Sequence, residues 1–170
     1  MSGGDKLPAW YMFRQALRVM SLLTDVVQRM EIAGSLRRDQ QLVGDIELVM
    51  AVQEIVPFEQ RCSELLDAGI FHKRLNKNGA PIGWGQRFKA VTYNSVSVDL
   101  FIVLPDRQWG PTMVLRTGPG TANGVLVTTR GIRNRDGLLG ILPRGLAWRE
   151  GATWKTGRPV VVLEKQMSLI

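Results

Sequence analysis

Over residues 10–30 the apolar side chains Met12, Phe13, Ala16, Leu17, Val19, Met20, Leu23, Val26, Val27 and Met30 recur at spacings of three and four. That period belongs to one face of an α-helix, so the pattern predicts one long amphipathic helix. A short strand is expected at 31–33, then a glycine-serine turn, then a buried strand at 46–52, where only the acid Glu47 interrupts the apolar run. Pro57 suits the first turn of a helix, and 58–68 carries the helical spacing up to Gly69. Residues 76–85, with three glycines and Pro81, read as a turn between strands. Residues 87–93 and 96–104 read as a β-hairpin around Asn94-Ser95, the second arm rich in β-branched and aromatic residues. The sheet these strands build is expected to be mixed.

Beyond Pro105 the pattern changes. A short helix is expected at 109–116, a break at Thr117-Gly118-Pro119 and a second helix at 120–133. From Leu138 onward glycine and proline punctuate short apolar stretches, which predicts small antiparallel strands. The fold class is therefore α/β (α+β), with a first domain over 1–106 and a second, smaller α+β unit over 107–170. No internal repeat and no low-complexity tract interrupts this order.

Charge separates the same two parts. Residues 1–106 hold 12 Lys/Arg and 12 Asp/Glu, whereas 107–170 hold 10 Lys/Arg and only 3 acids, so the whole net charge of +7 is C-terminal. Such a split suits a polyanion facing the C-terminal part, the alternative being a solvated basic face. With 45% hydrophobic and 22% charged residues in 170, the composition is that of a globular chain. No apolar run approaches the roughly 18 residues of a membrane span. The segment MSGGDKLPAW lacks the basic-then-apolar order of a secretory signal. A soluble, unsecreted protein without a membrane partner is the expectation, cytoplasmic or nucleoid-associated.

Cys62 and His72 are the single cysteine and histidine. No intramolecular disulfide or Cys-rich zinc cage can form, and a reducing compartment is expected. Metal chemistry must then rest on carboxylates, which favours hard cations such as Mg²⁺ or Mn²⁺. Cys62 and the methionines Met12, Met20 and Met30 read as core or helix surface, and His72 as an ordinary strand or surface residue.

The carboxylates are more informative. In Gly44-Asp45-Ile46-Glu47 two acids stand two apart on a strand otherwise built for burial, so both point to one face. Asp99 interrupts the apolar strand 96–104 in the same manner. Like charges held close in an apolar setting repel, and a divalent cation relieves them. The alternative is three rim acids without a common focus. Ten residues before Asp45 lies Gly34-Ser35-Leu36-Arg37-Arg38. Its glycine permits a close backbone turn, its serine a hydroxyl, and its arginines bidentate donors, the groups a triphosphate needs. By itself a Gly-Ser followed by two arginines is more often a surface turn.

Taken together, Gly-Ser-x-Arg-Arg, then Gly-Asp-Ile-Glu, then Val-Asp-Leu on a distant strand resemble the nucleotidyltransferase superfamily of DNA polymerase beta, specifically the family X DNA polymerases. The resemblance covers about residues 10–135, with a weaker echo at the end of the chain. It implies a nucleotidyltransferase palm over 1–106 and a basic thumb over 107–170. It further implies that Asp45 and Glu47 bridge two Mg²⁺ ions, or Mn²⁺, while Asp99 binds the catalytic metal and helps deprotonate a primer 3′-hydroxyl. Ser35 and Arg38 would hold the β- and γ-phosphates, and Gly34 and Gly44 would belong to the same nucleotide-binding set. Thr117-Gly118 would lie at the sugar and base of the incoming nucleotide, and Asn123 would read the base's minor-groove edge. Arg130, Arg133 and Arg135 would contact nucleic acid.

Three departures stand out. Glu47 replaces the family's usual Asp, Leu115-Arg116 stand where a Tyr-Phe pair is common, and Ser97 stands where a basic residue often precedes the third aspartate by two. At this length a lyase domain and helix-hairpin-helix fingers are not expected, and the minimal size is similar to viral or phage versions of the family. The expected function is a monomeric, minimal DNA polymerase that adds a deoxynucleoside monophosphate from a dNTP to a DNA 3′-hydroxyl on a primer-template or gapped duplex, in gap filling or repair. The alternatives are a template-independent nucleotidyltransferase using RNA, protein or small-molecule acceptors, and a catalytically inactive nucleic-acid-binding module.

Overall fold

The computed structural model describes residues 5–103, 109–118, 147–150 and 153–156. Helix α1 (Ala9–Leu23) buries Met12, Gln15, Ala16, Val19, Met20 and Leu23, the stripe its spacing demanded. It is shorter than expected. Val26 and Val27 lie in the turn that follows and Met30 lies in strand β2 (Arg29–Ile32), yet all three pack on the same core. The apolar period therefore runs on past the end of the helix, because the returning chain serves the core that the helix serves.

Strand β1 (Leu7–Pro8) pairs with β3 (Leu42–Val43) in a two-stranded ribbon that the sequence pattern did not announce. Between β2 and β3 the glycine-serine turn forms a single helical turn, α2 (Gly34–Arg37). Strand β4 (Ile46–Ala51) falls where expected. Helix α3 (Ile55–Asp67) starts before Pro57, which still lies in the first turn, where a missing N–H costs no helical bond. It ends at Gly69, whose φ of +68° closes the C-terminus. A short strand β5 (His72–Lys73) precedes the hairpin of β6 (Phe88–Tyr93) and β7 (Val96–Val103). Asn94 and Ser95 both take positive φ, 47° and 63°, the turn geometry that matches the twist of a two-residue hairpin.

Five strands form one sheet in the order β2-β4-β7-β6-β5. Only β4 and β7 run parallel, so the sheet is mixed. Its two faces differ. On one, Ile46, Leu48 and Met50 join Val98, Leu100, Ile102 and Val91 beneath α1 and α3, which contribute Phe58, Cys62 and Leu65. Cys62 is 1% exposed, and burial pushes its thiol up to about 11. His72 is exposed.

On the other face Val49, Ala51, Phe101 and Val103 meet Ala33 and helix α4 (Trp109–Thr117), whose Trp109 and Met113 are buried there. Thus α4, which follows the boundary expected at 106/107, shares a core cluster with the sheet before it. Strands β8 (Ala147–Glu150) and β9 (Thr153–Thr156) pair antiparallel, and β9 lies against α4. The helix expected at 120–133 and the apolar stretches at 138–143 and 160–164 lie outside the described residues. No helix among the described residues is long and apolar enough to cross a membrane.

Candidate active site

The acids occupy the second face, at the end of the sheet that α4 does not fill. Alternation along β7 puts Asp99 on the face of Phe101 and Val103, and alternation along β4 puts Glu47 on the face of Val49 and Ala51. Register does the rest: Glu47 and Asp99 are direct partners across the parallel β4–β7 pair. Asp45 lies two residues before Glu47, just ahead of β4, and acts electrostatically on both. Burial pushes the Glu47 carboxyl up to about 7, with repulsion from Asp45 and then Asp99 adding to it. Burial likewise pushes Asp99 up to about 6, against the pull of Arg74, with Asp45 adding to the rise. The three acids repel one another at the end of an apolar sheet.

Gly34 closes the site from the side of β2. The amide of Ala33 donates to the Glu47 carbonyl at 2.8 Å, which carries α2 alongside β4. Gly34 then takes φ +62°, and a Cβ there would fall 1.9 Å from Glu47 Oε2. The backbone favours glycine, and a side chain there would force the Glu47 carboxylate to move. Gly44 is different, since a Cβ there would meet nothing within 4 Å. Ser35 is half-buried in α2, and its carbonyl accepts from the Gln40 amide at 3.1 Å.

Arg37 and Arg38 point to separate tasks. Arg37 is buried and donates to Glu31 Oε2 at 3.0 Å, while Arg29 donates to Oε1 of the same carboxylate and stacks 4.4 Å over the Trp109 ring. Arg38 instead reaches α4, where Nη1 donates to the carbonyl of Thr117 and, at 3.3 Å, to that of Gly118. The structure therefore brings Arg38, Thr117 and Gly118 together. Thr117 is fully buried, and its hydroxyl has no hydrogen-bond partner among the described residues. Asn123, Arg130, Arg133 and Arg135 lie outside the described residues.

Two cations escaped the sequence reading. Arg74, from the segment after β5, forms an ion pair with Asp99. Arg116, one of the two residues standing in the place of the common Tyr-Phe pair, stacks 4.0 Å over Phe101 and draws the Glu47 and Asp99 carboxyls downward. Nothing in the local pattern marks Arg74. Arg116 could have been read from its helical position on α4, one turn beyond Met113, which packs on the same sheet face.

The donor set of Asp45, Glu47 and Asp99 is all oxygen, the chemistry that suits Mg²⁺ or Mn²⁺. In this conformation no three His, Cys, Asp or Glu side chains among the described residues converge closely enough to hold a metal ion.

A mixed five-stranded sheet with helices on both faces defines an α+β architecture, and that fold is similar to the one seen in DNA polymerase beta. Two solved structures of polymerase beta from Leishmania infantum show the likeness: a ternary P/T complex (TM-score 0.59, 14% identity, covering 79% of this chain and 57% of that one) and a ternary gap complex (TM-score 0.59, 14% identity, 78% and 50%). The likeness at this identity is one of fold, and the chain spans about half the length of the structures it matches. No family model and no curated protein matches the sequence.

Proposed function

We propose that the chain is a minimal DNA polymerase of the family X type, which transfers a deoxynucleoside monophosphate from a dNTP to a DNA 3′-hydroxyl. The observation that supports this best is the registered pair Glu47–Asp99 with Asp45 beside it, facing the Gly34–Arg38 turn. Asp45, Glu47 and Asp99 would hold two Mg²⁺ ions, which when bound lower the pKa of the attacking hydroxyl and neutralise the leaving pyrophosphate.

The remaining roles belong to the chain itself. Asp99, beside Glu47 in the strand register, would help take the proton of the 3′-hydroxyl. Ser35 follows Gly34 in the α2 turn and would offer its hydroxyl, and Arg38 ties that turn to the end of α4, so phosphates and nucleoside would be gripped by one connected unit. Residues 107–170, which carry the whole net charge of +7, would act as the thumb that grips the duplex, with Asn123 at the base edge and Arg130, Arg133 and Arg135 on phosphates. The protein acts as a monomer in this reading.

Incorporation of labelled nucleotide into a gapped duplex in Mg²⁺, with and without template, tests the reading. Template-dependent extension supports it. Extension without template would assign a template-independent transferase, and no incorporation in Mg²⁺ or Mn²⁺, with duplex binding retained, would assign a binding module.

A further inference from the structure

Four residues stand in a row across the acidic face of the sheet. Glu47 on β4 is opposite Asp99 on β7, and Asp99 is opposite Ala90 on β6. The Arg74 amide donates to the Ala90 carbonyl at 3.1 Å, one residue beyond the Lys73–Val91 pair of β5 and β6, so Arg74 comes next in the row. Strands lie about 4.8 Å apart, which separates the backbones of Arg74 and Asp99 by about 10 Å. A direct ion pair over that span needs a long side chain and a low residue between. Arg74 is the first, and the fully buried Ala90, with a single methyl, is the second.

The backbone of Arg74 is pinned from its other side as well. Its carbonyl accepts from the Ile82 amide at 2.7 Å. The intervening loop is tied by the Asn76 side chain, which accepts from the amides of Asn78 and Ala80 at 2.8 and 3.0 Å. The guanidinium thus comes to Asp99 from a fixed base. Ser97, two residues before Asp99 on the same strand face, ends in a short hydroxyl.

We propose that Arg74 is a positioning residue of the carboxylate site: reaching over Ala90 from the sheet edge, it sets the orientation of the Asp99 carboxylate beside Glu47. This rests on the nucleotidyl-transfer reading and adds to it a residue two strands away from the acids. The role is transferable, because a guanidinium at position 97 would approach the same carboxylate along β7.

The test uses the full chain, Arg74→Ala, and Arg74→Ala combined with Ser97→Arg, each checked by circular dichroism and thermal melting. Mn²⁺ binding is titrated by electron paramagnetic resonance, and nucleotide transfer is measured in single turnover. Removing one positive charge from beside three acids should tighten Mn²⁺ binding about threefold, while the loosened Asp99 slows transfer about tenfold. Arginine at position 97 should return both quantities towards wild type. A purely structural role would weaken binding and transfer together. The proposal is overturned if Arg74→Ala leaves Mn²⁺ binding unchanged or weaker, if transfer is unaffected, if Ser97→Arg restores neither quantity, or if the wild type binds no Mn²⁺. A wild type that binds Mn²⁺ without transferring nucleotide would defeat the proposed function instead, and the Mn²⁺ arm alone would then decide the role of Arg74.

Discussion

The backbone of Gly34 lies directly against the carboxylate of Glu47, close enough that a Cβ would sit 1.9 Å from Oε2. Gly34→Ala should therefore cost about 1–2 kcal/mol for its left-handed backbone and more for the collision. In a Glu47→Ala background the collision with the carboxylate is gone, and the backbone part should remain with only the tight contact to the Cβ of residue 47. A double-mutant cycle by urea denaturation measures the difference, and equal costs in both backgrounds would show that the contact is slack.

The raised carboxyls set the pH dependence of the metal-free protein. Between about 4.5 and about 7 the folded protein keeps a proton on Glu47 that the unfolded chain has lost, and Asp99 behaves alike from 3.8 to about 6. Their contribution to stability is fully present below the unfolded values and is lost as pH rises through the folded ones. Urea midpoints measured in chelator should fall across that window, and Glu47→Gln should flatten the fall. A midpoint that climbs from pH 5 to 7 in both proteins would contradict the assignment.

Asp99→Asn separates chemistry from folding. The amide keeps the shape and removes the charge that burial disfavours, so thermal stability at pH 7 should be equal or higher. Nucleotide incorporation should drop by roughly 10²-fold or more. Near-normal single-turnover rates in Mg²⁺ would remove Asp99 from the reaction.

The Arg29–Glu31–Arg37 group ties β2 to α2, with Glu31 and Arg37 3% and 1% exposed. Glu31→Ala leaves the buried Arg37 without that carboxylate and should cost about 3–5 kcal/mol. Pairing it with Arg37→Met should recover most of the loss. Chemical denaturation of the single and double variants checks this, and a cost below 1 kcal/mol for Glu31→Ala would show the pair to be dispensable.

Glu47→Asp draws the carboxylate back by about 1.5 Å, one carbon-carbon bond, and away from Gly34. Mn²⁺ is expected to support faster transfer than Mg²⁺ in the wild type, since Mg²⁺ demands stricter octahedral geometry, and the shorter acid should narrow that ratio. Ratios near one in both proteins, from single-turnover rates, would defeat the expectation.

Much of the sheet could be read in the chain because its signals are local. Asn94-Ser95 between two β-branched runs specifies a hairpin, and an acid within each of two apolar strands marks one shared face. What the sequence hid is of two kinds. Val26, Val27 and Met30 continue a helical period from a turn and a strand, because tertiary packing on one core does not require one element. Arg74 meets Asp99 across 25 residues of chain through strand register, which no spacing rule encodes. Likewise Arg37 and Arg38, adjacent and alike in the sequence, are separated in the fold by a buried glutamate on one side and the carbonyls of α4 on the other.

The seclusion of Cys62 has a practical side. Its side chain is enclosed between α3 and the sheet, and with the thiol held near 11 almost none of it is thiolate at neutral pH, the form that attacks maleimides. The native chain should therefore react little with thiol dyes while folded. A cysteine placed at the exposed Lys77, in the loop beside Arg74, would become the one point of attachment for a fluorophore, with no prior removal of native cysteine.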